Sequence, residues 1–290
     1  MATPRTRKAG TRKATRSGSR PAAPPPPGPG EDPRIDTLAT WYQPVVELDS
    51  GRVVGFEALS RHVAADGSAS SAGVLMDELE RVPDLQYTLI QRLLTAVQQD
   101  MVPLFERRPD FYVSVNIPPS VLGTGRIEPI ITGLGLTRWL RRMVVELTER
   151  QALTELGRDA IERARALGIS VALDDFGTGH SGLSQFVGLD LDILKIDQSL
   201  LLPVLDNRTA ARMLRGIVGL AAALHMRTVA EGIESWEQAF FLRAAGVDHG
   251  QGFYWSPAVP GDQVESLLET GFKDRLDRPR VRGDRRKKSR

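Results

Sequence analysis

The sequence predicts an α/β fold, a (β/α)8 barrel carried between two basic tails. Three observations predict it. Short apolar runs alternate with amphipathic helical patterns through residues 35 to 272. About eight such runs fit into roughly 240 residues, the size of one barrel. Almost every run ends in a charged or amide side chain, and the C-terminal strand ends form the working face of a barrel. A doubly wound open sheet is the alternative architecture. No glycine fingerprint for phosphate follows the first strand, which favours the barrel.

In chain order, "WYQPVVEL" and "RVVGFEAL" read as strands joined by the turn Asp49-Ser50-Gly51. Leu85, Leu89, Leu93 and Val97 then recur at helical spacing. "FYVSVN" and "MVVEL" are strands, and "DAIERARALG" is a helix stopped by Gly168. "SVALDD" and "LDILKID" are strands, and "TAARMLRGIVGLAAALH" is a helix. "TVAEGIE" is a strand, Ser235 caps the helix of "SWEQAFFLRAAG", and "VDHGQGF" closes the series.

The 290 residues carry a net charge of +2 that hides a strong asymmetry. Residues 1–30 hold seven Lys/Arg and no acid, and residues 273–290 hold ten Lys/Arg against three Asp. The tails therefore carry +14 together and leave −12 on the body between them. Residues 1–34 and 273–290 have little to bury and read as disordered basic tails flanking one domain over 35–272. Their charge suits nucleic acid or an anionic surface. No aromatic residue interleaves with it, so solubilising linkers are the simpler reading. The chain lacks cysteine, which excludes disulfides and thiolate metal sites and suits a cytoplasmic location. No apolar run is long enough to span a membrane, and none follows the basic N-terminus as in a secretory signal.

The strand ends carry the chemistry. They bring Glu57, Asn116, Glu146, the pair Asp174-Asp175, Lys195 with Asp197, Glu231 with Glu234, and Asp248 with Gln251. So many carboxylates at one mouth repel, and cations must offset them. Oxygen donors of this kind suit Mg²⁺ or Mn²⁺. Adjacent carboxylates can serve two ions, and two-metal sites clamp both oxygens of an in-line phosphoryl displacement. Lys195 is then placed to orient water or to meet developing charge. Asp197 and Glu234 read first as residues that hold loops. His62 and His225 read as ordinary surface or helix-end residues. His249 falls near the expected mouth, and His180 in the glycine-rich turn is within reach of a substrate. Ser181 and Ser184 have no base at motif spacing, which argues against a serine nucleophile.

"GFEALSR" (55–61), "VNIPPS" (115–120), "ELTER" (146–150), "DDFGTGHSGL" (174–183), "LKID" (194–197), "VAEGIE" (229–234) and "QGF" (251–253) together resemble the EAL-domain phosphodiesterases of cyclic di-GMP. The resemblance implies a modified barrel whose first strand runs antiparallel, and a homodimer. It implies Mg²⁺- or Mn²⁺-dependent cleavage of one phosphodiester bond of cyclic di-GMP, giving linear pGpG. By motif position it makes Glu57, Asn116, Glu146, Asp174 and Asp175 metal ligands and Lys195 the contact to the attacking water. Glu231 and Gln251 reach the metals through water, with Glu231 the candidate base. Arg61 pairs with a substrate phosphate, and Gln43 approaches the substrate. Asp197 and Gln251 line the substrate site, and Glu149 and Glu234 steady loops. His180 and Gly182 stand where the family has tyrosine and serine, and Pro118 replaces a frequent serine. The family also contains receptors that bind cyclic di-GMP without cutting it, usually with ligands missing. None is missing here.

Overall fold

The computed structural model describes residues 33–64, 66, 68–73, 82–178, 186 and 188–276. Among these, ten strands form in chain order: β1 Leu38–Glu47, β2 Val53–Val63, β3 Ala69–Ser71, β4 Tyr112–Asn116, β5 Met143–Thr148, β6 Ser170–Phe176, β7 Ile193–Ile196, β8 Arg227–Ala230, β9 His249–Gly250 and β10 Val259–Pro260. Eight of them close a ring in the order β1-β2-β4-β5-β6-β7-β8-β9, with β9 returning to β1. β1 runs antiparallel to both its ring neighbours, and every other ring pairing is parallel. Closure excludes the open sheet. β3 adds to β2 from Arg61 onward, and β10 lies beside Trp41 and Tyr42 of β1.

Helices cover the ring. α1, Pro83–Arg107, buries Leu85, Leu89, Leu93 and Val97, as their spacing predicts. Two short helices, α2 Pro119–Leu122 and α3 Glu128–Gly133, follow β4. α4, Glu149–Ala152, starts on a capping box of Thr148 and Gln151. α5, Glu155–Leu167, is capped by Thr154 and ends at Gly168, whose φ of +78° is a left-handed stop. α6 is Gln198–Leu201, and α7, Arg208–Ala223, is capped by Asn207. α8, Trp236–Ala244, starts on the expected Ser235, which forms a capping box with Gln238. α9 is Val264–Thr270. The four residues Lys273–Leu276, assigned to the second tail on sequence grounds, form the helical turn α10. Trp236 Nε1 donates to Leu276 O at 3.2 Å, and Tyr254 exchanges hydrogen bonds with Arg275.

The barrel interior is layered. Val45, Val54, Val144, Ala172, Ile193 and Val229 form one buried cluster with Tyr112 packed on it. Side chains alternate along a strand, so the residue two positions on shares its face. That residue is Glu146 after Val144, Asp174 after Ala172, Lys195 after Ile193 and Glu231 after Val229. On the antiparallel β1 the order inverts, and Gln43 precedes Val45. The pairing of β1 with β2 skips Val54, a bulge that brings Glu57 into line with Gln43.

Candidate active site

Five strands deliver the centre. Lys195 Nζ, on a side chain only 2% exposed, lies 2.7 Å from Glu146 Oε2, 2.8 Å from Glu231 Oε1, 2.9 Å from Asp174 Oδ1 and 3.6 Å from Glu57 Oε2. Asn116 Nδ2 donates to Glu57 Oε1 at 3.3 Å and to Glu146 Oε2 at 3.4 Å. A half-turn of that amide exchanges donor for acceptor and offers the oxygen a metal ligand needs. Gln251 Nε2 donates to Glu57 Oε2 at 2.7 Å and to Gln43 Oε1 at 3.0 Å, while Gln43 Nε2 donates to Ser256 O at 3.3 Å.

The double aspartate rests on a second bulge. Leu173 pairs with Leu194 and Phe176 with Ile196, so Asp174 and Asp175 together face the single residue Lys195. Asp175 takes a φ of +57°, a left-handed conformation that Asp tolerates better than most residues. Its backbone N–H donates to Asp174 Oδ1 at 3.0 Å. The two carboxylates thus come to one mouth, where a regular strand would send them to opposite faces.

Acid outnumbers base here, and burial and mutual repulsion shift the protonation of the site. Burial raises Glu146 well above the ordinary carboxylate range, and Glu57 adds to the rise against the pull of Lys195. Burial lifts Glu231 to about 8, with Lys195 opposing. Asp175 is raised by burial and then by Asp174 and Asp197. Burial works against the Lys195 ammonium, but Glu146, Glu231, Glu57 and Asp174 outweigh it and hold its pKa well above the usual lysine value.

The donor set fits divalent metals. Asp174, Asp175 and Glu231 bring carboxylate oxygens within 4.8 Å of one another. Gln251 Oε1 is buried without a hydrogen-bond partner among the described residues and can accept from a bound water. Every donor is oxygen, as Mg²⁺ and Mn²⁺ prefer.

Around this centre opens a groove of 270 Å³ lined by Gln43, Asp197, Glu231, Glu234, Gln251 and Phe253. Asp197 also caps α6, its Oδ1 accepting from Ser199 N at 2.8 Å. Arg61 lines a neighbouring pocket with Asn116, and burial lowers its pKa while Glu57 opposes. Glu149, 4% exposed, accepts from Gly177 N at 3.0 Å and so ties α4 to the turn after β6. Two strand-end assignments are corrected. Asp248 precedes β9 and accepts from Thr228 N and Oγ1, both at 2.8 Å, at the far end of the barrel. His249 pairs with Val229 in the apolar layer, away from the carboxylates. β9 is too short for its ends to be read from sequence. Sequence reasoning gave no role to Phe253, 70% exposed in the groove; an aromatic directly after Gln251-Gly252 was the available signal. His180, Ser181, Gly182 and Ser184 lie outside the described residues.

Residues 31–258 match the EAL domain. The chain belongs to the EAL domain family. A relative in Escherichia coli K12, named "Probable cyclic di-GMP phosphodiesterase PdeB", is 35% identical over 227 residues, covering 77% of this chain and 43% of that protein. Two solved EAL structures are similar in fold. One is the PaMucR phosphodiesterase in complex with c-di-GMP, with a TM-score of 0.70 and 26% identity over 79% of this chain and 94% of that one. The other is the EAL domain of Mycobacterium smegmatis DcpA, with a TM-score of 0.65 and 26% identity over 82% of this chain and 98% of that one. This EAL domain chain spans between a third and a half of the length of the curated relatives PdeB and PdeN, at 43% and 45%. Among the described residues no helix is long and apolar enough to cross a membrane.

Proposed function

We propose that this EAL domain hydrolyses cyclic di-GMP to linear pGpG with Mg²⁺ or Mn²⁺ held at the carboxylate mouth. The observation that carries the reading is Lys195, enclosed by carboxylates from four strands beside the Asp174, Asp175 and Glu231 oxygens. The likeness to PdeB supports the substrate.

Glu57, Asn116, Glu146, Asp174 and Asp175 are the residues that would hold the metals. When bound, the ions polarise the phosphate and make water more acidic. Lys195 orients the attacking water and meets the charge that builds on the phosphate oxygens. Glu231 takes the role of general base; burial lifts its pKa to about 8 in the metal-free protein, and bound dications would lower it from there. Arg61 pairs with a substrate phosphate. Gln43, Gln251 and Asp197 line the substrate groove, and Phe253 offers a guanine a face to stack on. Glu149 fixes the turn after the double aspartate through Gly177 N, and Glu234 lines the groove rim, its backbone N–H held by Gln238 Oε1.

The test is incubation of the purified chain with cyclic di-GMP and Mg²⁺ or Mn²⁺, with the nucleotides separated chromatographically. Conversion to pGpG that stops on adding chelator is expected. Absence of turnover with both metals overturns the reading, and tight binding without turnover marks a receptor instead.

A further inference from the structure

The opposite mouth of the barrel opens a second polar cavity, of 560 Å³, within the usual range for small-molecule sites. Its lining comes from strand starts. Tyr112 begins β4, Arg142 directly precedes β5, Arg227 begins β8 and Asp248 directly precedes β9. We propose that this mouth binds a phosphate-bearing small molecule, held by Arg141, Arg142 and Arg227 over Tyr112 and His249.

Pairing, not net charge, points to an anion, because the four Arg and four acids of the lining sum to zero. The cavity also contains four acids, and each is engaged. Glu47 and Asp110 share Arg52, at 3.8 and 3.4 Å. Asp49 pairs with Arg243 at 2.9 Å, and Asp248 accepts two hydrogen bonds from Thr228. Among the described residues, Arg141, Arg142 and Arg227 have no carboxylate partner. Arg142 is braced by its Nη1, which donates to Arg108 O at 2.9 Å, and by stacking on Trp139 and Phe105. A braced guanidinium has little entropy left to lose when its remaining donors take an anion.

The floor supplies an independent observation. The His249 side chain, on a residue 7% exposed, makes no hydrogen bond among the described residues, and its Nδ1 is enclosed without a partner there. An imidazole left unbonded costs stability, and a ligand that draws this ring toward the cavity would recover that cost. Burial, followed by the nearby Arg227 charge, lowers its pKa, so the ring is neutral and can donate and accept. Tyr112 and the buried Phe111 give the flat, apolar part of a ligand a wall. These features suit a phosphate on a planar scaffold better than a bare ion, which would leave most of the cavity to water.

The test is calorimetric titration of metal-free, chelator-treated protein with AMP. Without metal the acidic mouth repels phosphate, so binding there does not confuse the result, and the outcome is independent of whether the domain turns over cyclic di-GMP. Saturable one-to-one binding is expected. It should weaken at least about tenfold in the double variant Arg141→Ala, Arg227→Ala and recover in part with lysine at both positions. An unchanged melting temperature in the double variant controls for folding; both side chains are exposed. No saturation by about 10 mM AMP, or equal binding by the double variant, overturns the proposal.

Discussion

Lys195 and Glu146 form an ion pair 2.7 Å long in which both side chains are 2% exposed. Three more carboxylates converge on the same ammonium. Removing one member of a buried ion pair is strongly destabilising, because the partners stay buried and unpaired. Lys195→Met keeps the stem and deletes the charge. It should abolish turnover and cost the metal-free protein about 3–5 kcal/mol, partly restored by Mn²⁺. Thermal melts with and without metal check this, and an unchanged melting temperature contradicts it.

Asp174→Asn should separate activity from stability. Asp174 Oδ1 accepts from Asp175 N at 3.0 Å, and asparagine keeps that acceptor. The substitution removes one charge from a mouth with too many, so the metal-free protein should melt no lower than the parent. Turnover should fall by more than about 100-fold if Asp174 is the direct ligand proposed, because such a ligand costs more than the residues that support one. Assay and melt on one preparation decide it. A large drop in melting temperature would assign Asp174 to the fold.

Much of this site is legible because barrel strands repeat a rule. Val144-x-Glu146, Ile193-x-Lys195 and Val229-x-Glu231 each set an apolar residue one alternation before a polar one. The rule fails where the backbone departs from regular pairing. The bulge at Val54 switches the face of β2, and the bulge at Asp174-Asp175 gives one face two neighbours in sequence. Neither carries a local signal stronger than the charges themselves. β1 reverses the order, so Gln43 reaches the mouth from before its apolar partner, and family resemblance rather than spacing indicated it. Asp248 and His249 mislead because β9 is two residues long, and counting from its end puts both at the wrong mouth.

Metal stabilisation should depend on pH in a defined direction. Glu231 moves from an ordinary 4.5 to about 8 in the folded, metal-free protein. A raised folded pKa means that folding binds a proton. The stability this contributes is complete below about 4.5 and is lost as pH rises through about 8. Divalent metal needs the deprotonated carboxylate, so the melting-temperature gain from Mg²⁺ should grow across the same interval. Melts at about pH 6, 7, 8 and 9, with and without Mg²⁺, measure it. A gain that stays flat across the series sinks the prediction.

The turn after the double aspartate should depend on Glu149. Its Oε1 accepts from Gly177 N, and Gly177 sits at a φ of +111° with Leu200 against the position a Cβ would take. Glu149→Ala removes the acceptor of this part-buried hydrogen bond, which costs about 0.5–1.5 kcal/mol. Turnover should fall, though less than in Asp174→Asn, because Glu149 supports the turn that directly follows the proposed ligands. Glu149→Gln, which keeps an acceptor, should recover most of the stability. Equal loss in both variants would point to the charge rather than the hydrogen bond.

Phe253 makes the sharpest test of substrate contact, because it does so little for the fold. Its ring is 70% exposed at the rim of the groove that holds Glu231 and Gln251. A nucleobase can stack on such a ring for about 1–3 kcal/mol. Phe253→Ala should therefore raise KM for cyclic di-GMP by about 10- to 100-fold with kcat little changed. Phe253→Trp should keep the parent value, since it preserves the face. The melting temperature of both variants should match the parent. A fall in kcat at unchanged KM would place the ring on the path of the reacting groups instead of under a base.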